Sequence, residues 1–332
     1  MLRQIKFLHY VLKSFLYNSF NSSLTLIETA FQPTLFCFDI LIRILGPLFV
    51  VLVIGLTTVV VVLYYRLLVP RILTYGFIRS SCHLLYAHWL LVNICHQYYR
   101  AVCTEPGYPD ENPENAIEAL HYPVCKACIV AKPPRTHHCR ICRRCIMKMD
   151  HHCLISVAWV NNCVGRNNHR YFILFCVYMF LGTLYVSLSG YDLFLDQLYL
   201  QLQDRSKLNL ASEYETDQSS ALFLGILCAT VAFILLLFTG WHCFLISTNQ
   251  TTIETYANKK KKKLLKKKGK RFRNKYDRGF VSNWRSVLGI SRNDSFALLL
   301  WPKALPPIRD DYRTDYSNKL NGNFIVETVR SV

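Results

Sequence analysis

Cysteine and histidine crowd one stretch of the chain, from Cys125 to Cys163, in an order typical of zinc ligation. The stretch holds seven of the fourteen cysteines and four histidines. It reads Cys-x-x-Cys from Cys125, His-Cys-x-x-Cys-x-x-Cys from His138, and Asp-His-His-Cys from Asp150. Thiolates and imidazoles at such short spacings are the ligands of tetrahedral zinc sites. Two four-ligand sites would not use all of these side chains, so some remain free for chemistry.

The Asp-His-His-Cys run supplies the groups that a thiol nucleophile needs. A cysteine attacks as its thiolate, although a free thiol is mostly protonated at neutral pH. A neighbouring imidazole can accept the thiol proton, and a carboxylate can fix the tautomer and orientation of that imidazole. Cys153 is therefore a candidate nucleophile, and the alternative is that it is one more zinc ligand. A redox dithiol is disfavoured, because the sequence around it does not predict the βαβ unit of such proteins.

Long apolar segments must position this region. The apolar fraction is 52% and is concentrated in blocks of membrane-spanning length. About 20 helical residues cross the hydrocarbon of a bilayer. Four segments meet that length: Ile44–Tyr65, Ser81–Ala101, Tyr171–Gly190 and Ala221–Ile246.

The second segment is the least apolar of the four. Five polar side chains interrupt it: His83, His88, Asn93, His96 and Gln97. We expect it to span with these side chains facing the other helices. A buried or re-entrant helix is the alternative.

The distribution of charge predicts the topology. The formal net charge is +18, and basic residues crowd Lys126–Arg170 and Lys259–Arg273, whereas the loop after the third segment is acidic. The positive-inside rule therefore places the Cys/His region and both termini in the cytosol, where disulfides are disfavoured. Arg66, Arg71 and Arg79 run against this and are interpreted as snorkelling residues at the interface.

The basic patches predict anionic partners: lipid headgroups, a phosphorylated cofactor or nucleic acid. The lysine run Lys259–Lys268 directly follows a spanning segment, so contact with anionic lipid is favoured over a plain solvated run. The sequence of residues 1–43 predicts an amphipathic stretch that lies at the membrane interface. It does not predict a cleaved signal peptide.

Several further motifs accompany Asp-His-His-Cys, and together the chain resembles the DHHC protein S-acyltransferases, or palmitoyltransferases. The motifs that carry the resemblance are Glu105-Pro106-Gly107, Asn161-Asn162-Cys163-Val164-Gly165, Thr251-Thr252-Ile253-Glu254, Asn274-Lys275-Tyr276 and Asn283-Trp284. The segments Ser14–Phe20 and Phe272–Asn274 are most similar to the Abl-philin-like branch, which is associated with the endoplasmic reticulum.

The resemblance implies an α-helical integral membrane protein with four transmembrane helices. A cytosolic two-zinc cysteine-rich domain would lie between helices 2 and 3. The implied division is a cytosolic N-terminal segment 1–43, helices 1 and 2 in 44–101, the cysteine-rich domain 102–170, helices 3 and 4 with a luminal loop in 171–247, and a cytosolic tail 248–332. The endoplasmic reticulum is the expected membrane, with the Golgi as the alternative.

The resemblance also assigns the site residues. One structural zinc would take Cys125, Cys128, His138 and Cys145. The other would take Cys139, Cys142, His152 and Cys163. Cys153 would be the nucleophile, with His151 as its base and Asp150 as the orienting carboxylate.

The implied reaction passes an acyl group from palmitoyl-CoA to Cys153 and then to a cysteine of a protein substrate. Both steps exchange one thioester for another, so the site need only activate and align thiols. By resemblance, the coenzyme phosphates would meet Lys132, Arg135 and His137. A solvated basic face is the alternative for Lys132 and Arg135. Implied partners are acyl-CoA, membrane lipids and proteins with reachable cysteines.

The acyl chain would enter a cavity between the helices, and helix 3 would help to close its far end. Gly182 lies eleven residues after Tyr171, about 16 Å deeper at the helical rise. A glycine leaves more room than a bulky residue, so we hypothesise tolerance of chains longer than palmitate.

One segment departs from the family pattern. Leu154–Ala158 stands where the family has a proline before the tryptophan, here Trp159. Lengthening such a loop costs only about 0.5 kcal/mol of closure entropy, but small misplacements of a nucleophile can cost about 100-fold in rate. Three explanations compete: a tolerated insertion, a weak or inactive isoform, and a mis-spliced gene model. We favour the third, because the motifs on either side are intact.

Two rival functions remain. The Leu154–Ala158 insertion makes a non-catalytic, zinc-stabilised membrane adaptor a plausible alternative. The basic charge suggests a zinc-finger nucleic-acid binder, but four spanning segments and the absence of a finger-type recognition helix argue against it.

Overall fold

The computed structural model describes residues 23–109, 122–151, 159–202 and 212–303. Within them the chain is mostly helical, with one two-stranded sheet. In chain order the elements are α1 (Ser23–Leu63), a π-helical turn (Tyr64–Leu68), α2 (Val69–Leu73), α3 (Phe77–Cys103), β1 (His137–Cys139), β2 (Arg144–Ile146), α4 (His169–Ser189), α5 (Tyr191–Leu202), α6 (Ser212–Ser247), α7 (Thr252–Lys267), α8 (Phe280–Leu288) and a 3₁₀ turn (Phe296–Leu300).

Among the described residues, three helical stretches are long and apolar enough to cross a membrane: Ile44–Leu73, His169–Ser189 and Ser219–Ser247. They coincide with the first, third and fourth predicted segments. The helix at the second segment, α3, has 27 residues but is not among the three. A fourth span therefore stays a prediction.

Helix α4 lies at the centre of the bundle, between α3 and α6. Tyr171, Phe172 and Phe175 are its largest fully buried side chains. They pack with Leu90 and Tyr98 of α3 in one apolar cluster. In lipid such close packing, rather than exclusion of water, is what holds helices together.

The polar side chains of α3 were predicted to face the other helices, and some of them are buried against protein. Asn93 and Gln97 are 0% and 2% exposed, whereas His88 is exposed. The Asn93 amide donates a hydrogen bond to the Trp89 carbonyl. The Trp89 indole N–H donates to the carbonyl of Leu300, so the C-terminal 3₁₀ turn docks against this helix.

In its described residues, the cysteine-rich region contains one short hairpin as regular structure. Strands β1 and β2 are antiparallel, with His138 opposite Cys145 and Cys139 opposite Arg144. Two three-residue strands are marginal by themselves in water. The fold of this region therefore depends on what its cysteines and histidines bind.

The tail after α6 returns to cap the end of that helix. The last carbonyls of a helix lack intrahelical partners. Asn283 donates its amide to the Ser247 carbonyl at 2.8 Å, and Asn274 donates to Thr248 at 2.7 Å. These side chains fix the chain direction into α7.

Candidate functional site

The Asp150 carboxylate is the centre of a buried polar site and is 0% exposed. Its Oδ2 lies 2.5 Å from Nδ1 of His151. Burial alone would raise the pKa of Asp150, but the hydrogen bond from His151 and the charges of the neighbouring imidazoles together hold this pKa well below its usual range. The carboxylate therefore accepts, Nδ1 carries the proton, and the lone pair of His151 lies on Nε2. That Nε2 is buried with no hydrogen-bond partner in the described part of the chain.

The backbone after Cys163 fixes the position of this pair. Asp150 donates its N–H to the Val164 carbonyl at 3.0 Å, and Val164 donates to the carbonyl of His151 at 3.3 Å. This short antiparallel bridge holds the two chain segments side by side. It joins the Asp-His-His-Cys run to the Asn-Asn-Cys-Val-Gly motif that the sequence analysis singled out.

Gly165 allows a further motif to approach. A Cβ at this position would lie 2.6 Å from the Pro106 carbonyl oxygen and 2.7 Å from Ile146 Cγ2. No larger residue fits without moving the backbone of the Glu-Pro-Gly motif. The N–H of Asn167 donates to the same Pro106 oxygen at 3.1 Å. Close packing therefore requires glycine here.

Helix α7 begins at the site with a capping box. The Thr251 hydroxyl accepts from the N–H of Glu254, and the Glu254 carboxylate accepts from the N–H of Thr251. The next residue, Thr252, donates its N–H to Asp150 Oδ1 at 2.8 Å and its hydroxyl to Oδ2 at 3.1 Å. The start of the helix therefore supplies two donors to the buried carboxylate.

Arg135 joins α7 to the cysteine-rich region. Its guanidinium donates Nε–H and Nη2–H to the two carboxylate oxygens of Glu254, both at 2.7 Å, and Nη1–H to Asn249 Oδ1 at 2.9 Å. The side chain is 8% exposed. The guanidinium N–H groups therefore bind protein groups. Arg135 thus has a structural role, joining α7 to the cysteine-rich region, in addition to its predicted phosphate contact.

The other two predicted phosphate contacts lie near Arg135. His137 and Lys132 are both partly buried. Burial is the main cause that lowers the pKa of His137, and the positive charges of Lys132 and Arg135 act in the same direction. These side chains give that part of the surface its positive charge, and their contact with coenzyme stays a prediction.

The first predicted zinc ligand set comes together completely. One ligand atom from each of its four residues lies within 4.8 Å of the others. His138 Nδ1 lies 3.1 Å from Cys128 Sγ and 3.6 Å from Cys125 Sγ. Cys145 comes from β2, opposite His138. The hairpin therefore brings two ligands to two others from the preceding turn.

Three of the four ligands predicted for the second site also come together: Cys139, Cys142 and Cys163. Cys142 Sγ lies 3.3 Å from Cys163 Sγ. The fourth predicted ligand, His152, lies outside the described residues.

The chemistry of both groups fits zinc. Burial raises the pKa of Cys145 to about 12, and the neighbouring thiols together with burial raise the pKa of Cys163. Thiols this close can all become thiolates only around a cation. Sulfur and imidazole in tetrahedral number favour Zn²⁺ over harder metals.

Two site residues were missed by sequence reasoning. His169, the first residue of α4, and His242, in α6, bring ring nitrogens to the Asp150 carboxylate, all within 4.8 Å. His242 Nδ1 lies 3.8 Å from Asp150 Oδ2. An ionisable residue inside an apolar spanning segment is a functional candidate by itself, so His242 could have been singled out.

An apolar cavity of about 210 Å³ lies between α1, α3, α4 and α6. Ile94, Phe175 and Gly182 line it, and Trp159 lines it from the loop that precedes α4. Gly182 therefore lies at the predicted cavity wall. Aromatic side chains connect the site with this cavity.

Those side chains form a continuous series. The ring of His151 lies 5.7 Å from Phe172, Phe172 lies 6.0 Å from Phe238, and Phe238 lies 6.3 Å from Trp159, centroid to centroid. Such spacing is that of packed aromatic pairs. The polar pair is thereby placed at one end of an apolar chamber.

Some predictions lie outside the described residues. These predictions concern Cys153, the Leu154–Ala158 segment and residues 1–22. The lysine run is described, and Lys259–Lys263 are exposed on α7.

The fold and site define a membrane protein whose Cys/His domain places an acid–imidazole pair beside an apolar cavity. Comparison with known proteins agrees. Residues 120–259 match the DHHC palmitoyltransferase family. The chain is 42% identical over 299 residues to palmitoyltransferase ZDHHC16 of Homo sapiens, covering 84% of this chain and 77% of that protein. It is 33% identical over 352 residues to palmitoyltransferase ZDHHC16A of Danio rerio, covering 94% and 89%.

A more distant similarity extends to plants. The chain is 36% identical over 168 residues to probable protein S-acyltransferase 15 of Arabidopsis thaliana, covering 50% of this chain and 59% of that protein. The chain belongs to the DHHC palmitoyltransferase family. It is a membrane protein and a protein S-acyltransferase.

Proposed function

We propose that Cys153 is the acyl-accepting nucleophile, that His151 is its general base and that Asp150 orients His151. The single observation that carries this proposal is the hydrogen bond from His151 Nδ1 to the buried Asp150 carboxylate. It fixes the tautomer whose Nε2 can take the thiol proton. Cys153 follows His151 by two residues.

The reaction has two thioester exchanges. The Cys153 thiolate attacks the acyl carbonyl of palmitoyl-CoA, and CoA leaves as a thiol after protonation by His151. The thiolate of a substrate cysteine then attacks the acyl-enzyme, and Cys153 is released. Each step breaks one thioester and forms another, so alignment and thiol activation are what the site must supply.

The cavity between the helices is the proposed site for the acyl chain. Its lining is apolar at Ile94, Phe175 and Gly182, as a fatty chain requires. The aromatic series from His151 to Trp159 connects this chamber to the reacting thioester. A chain bound there stays in apolar surroundings while its carbonyl reaches the cytosolic face.

Two zinc ions are the proposed structural metals. Cys125, Cys128, His138 and Cys145 would hold one ion. Cys139, Cys142, His152 and Cys163 would hold the other. Zinc at these ligands would stabilise the cysteine-rich region and, through His152, fix the backbone beside Cys153.

The proposed arrangement in the membrane keeps four spans, with the cysteine-rich region and both termini in the cytosol. The domain division follows: 1–43, 44–101, 102–170, 171–247 and 248–332. We also propose the endoplasmic reticulum as the membrane. Acyl-CoA, with its phosphates at Lys132, Arg135 and His137, and proteins with accessible cysteines are the proposed substrates.

Auto-acylation tests the assignment of the nucleophile. Purified full-length protein given labelled palmitoyl-CoA should acquire a hydroxylamine-sensitive label at Cys153, and Cys153→Ser should not. Label that persists on Cys153→Ser would place the acyl group elsewhere. An intact protein that takes up no label would favour the adaptor.

A further inference from the structure

His242 reaches the catalytic region from inside the helical bundle, where an imidazole is costly to keep. Its side chain is 3% exposed, and its Nδ1 has no hydrogen-bond partner in the part of the chain that the structure describes. Leaving a buried polar atom unpaired is destabilising, because the atom loses its hydrogen bonds to water. The Asp150 Oδ2 acceptor lies 3.8 Å from this nitrogen. That distance exceeds a hydrogen bond by less than an ångström, so a small shift would close it.

His242 also packs against the base itself. Its ring centroid lies 5.4 Å from that of His151 and 5.5 Å from that of Phe172. Phe238, one helical turn earlier on α6, lies 4.6 Å from His242. The His151 ring is therefore bounded by Asp150 on its Nδ1 side and by His242 and Phe172 across the ring. This packing restricts the rotation that would turn Nε2 away from a thiol.

The contact with Asp150 completes a set of donors. Thr252 donates to both carboxylate oxygens from the start of α7, and His151 donates to Oδ2. A donor from His242 would approach Oδ2 from α6, the one spanning helix that leads directly into α7. A carboxylate held from both the cytosolic and the membrane side has a single orientation available.

We propose that His242 is a positioning residue for acyl transfer: it aligns the Asp150–His151 pair from the membrane side and thereby sets the rate at which Cys153 reacts. The inference rests on the proposed function of Cys153. It adds a residue outside the Asp-His-His-Cys run to that site.

The test compares three variants in the full-length purified protein. His242→Phe keeps a ring but removes both nitrogens. His242→Asn keeps an N–H close to the position of Nδ1. Cys243→Ala, which changes the next residue of α6, is the matched control. Two rates are measured at fixed pH: alkylation of Cys153 by iodoacetamide without acyl-CoA, followed by mass spectrometry, and auto-acylation at saturating palmitoyl-CoA. Zinc content, thermal stability and the KM for palmitoyl-CoA are measured on the same samples.

We expect His242→Phe to slow both rates at least about 10-fold, with zinc content and KM unchanged. His242→Asn should recover to within about threefold of the natural protein, and Cys243→Ala should match it. Unchanged rates in His242→Phe would overturn the proposal. A loss of rate that accompanies a loss of zinc content or of thermal stability, and that His242→Asn does not recover, would overturn it as well, since the role of His242 would then be structural. If the natural protein takes up no acyl label, the proposed function fails, and the iodoacetamide rates still decide the role of His242.

Discussion

Thr252 donates two hydrogen bonds to Asp150 across 102 residues of sequence, from its N–H at 2.8 Å and from its hydroxyl at 3.1 Å. The threonine follows the helix cap of α7, and the aspartate opens the Asp-His-His-Cys run. This contact makes the C-terminal Thr-Thr-x-Glu motif part of the proposed acyl-transfer site.

The first prediction follows from this contact. Asp150→Asn keeps the shape but reverses the polarity of one oxygen, which favours the wrong tautomer of His151. The auto-acylation rate should fall at least about 100-fold, as expected when a base loses its orienting carboxylate. Thr252→Val removes one of the two donors and should cost about 1 kcal/mol, or roughly fivefold. Rates are measured in single turnover, and equal rates for Asp150→Asn and the natural protein would contradict the assignment.

The second prediction separates bracing by Arg135 from coenzyme binding. Removing one partner of a buried ion pair costs about 3–5 kcal/mol, because the other charge is left unpaired. Both side chains here are slightly exposed, at 8% and 15%, so we expect the lower half of that range. Arg135→Gln and Glu254→Gln should each lower thermal stability, and the double variant should lose less than their sum.

Measurements of the KM for palmitoyl-CoA provide the control for the Arg135–Glu254 pair. Lys132→Gln should raise the KM for palmitoyl-CoA without lowering thermal stability, because no buried ion pair is broken. Glu254→Gln releases Arg135, itself a predicted phosphate contact, so its KM for palmitoyl-CoA is measured beside its thermal stability. An Arg135→Gln variant with normal stability and a raised KM would favour the phosphate role alone.

The third prediction concerns metal. Chelation should release zinc and expose the cysteine-rich region to protease, because the short hairpin depends on ligand binding for its folding free energy. His138→Ala should show the same sensitivity before chelation. His137→Ala, the adjacent residue outside the predicted ligand set, is the matched control. Resistance that survives complete removal of zinc would show that the hairpin folds without it.

The fourth prediction concerns chain length. Gly182 lines the cavity, and a Cβ there would lie 2.9 Å from Ile94 Cδ1. Gly182→Tyr should therefore shorten the cavity and shift preference from longer acyl-CoAs towards shorter ones in a competition assay. Leu188→Tyr, at an outward-facing position of the same helix, should not. Identical chain-length profiles for Gly182→Tyr and the natural protein would refute the role of Gly182.

The fifth prediction concerns Leu154–Ala158. Replacing this segment with a single proline should restrain the backbone after Cys153. If the segment misplaces the nucleophile, auto-acylation should rise by up to about 100-fold. The same replacement with Cys153→Ser is the control for background label. No gain would indicate that the longer segment is tolerated.

Local patterns along the chain were enough to predict the ligand chemistry and most of the spanning helices. Spacing predicted zinc sites, and the family resemblance assigned the first ligand set, whose four residues do come together. Hydropathy predicted four spanning segments, and three of them are helices of spanning length and composition in the described residues, because spanning length is a local property. Motif order predicted the acid–imidazole pair, which is adjacent in the chain.

Only the tertiary structure decided which distant groups meet at that pair. Thr252 and His242 reach Asp150 because the capped end of α6 turns back on the cysteine-rich region, and no local pattern records that turn. The family resemblance and its charge assigned Arg135 to the coenzyme phosphates, whereas its partner Glu254 lies 119 residues away and was not predicted. Local spacing specifies ligands and spans, whereas contacts between segments depend on how the helices pack.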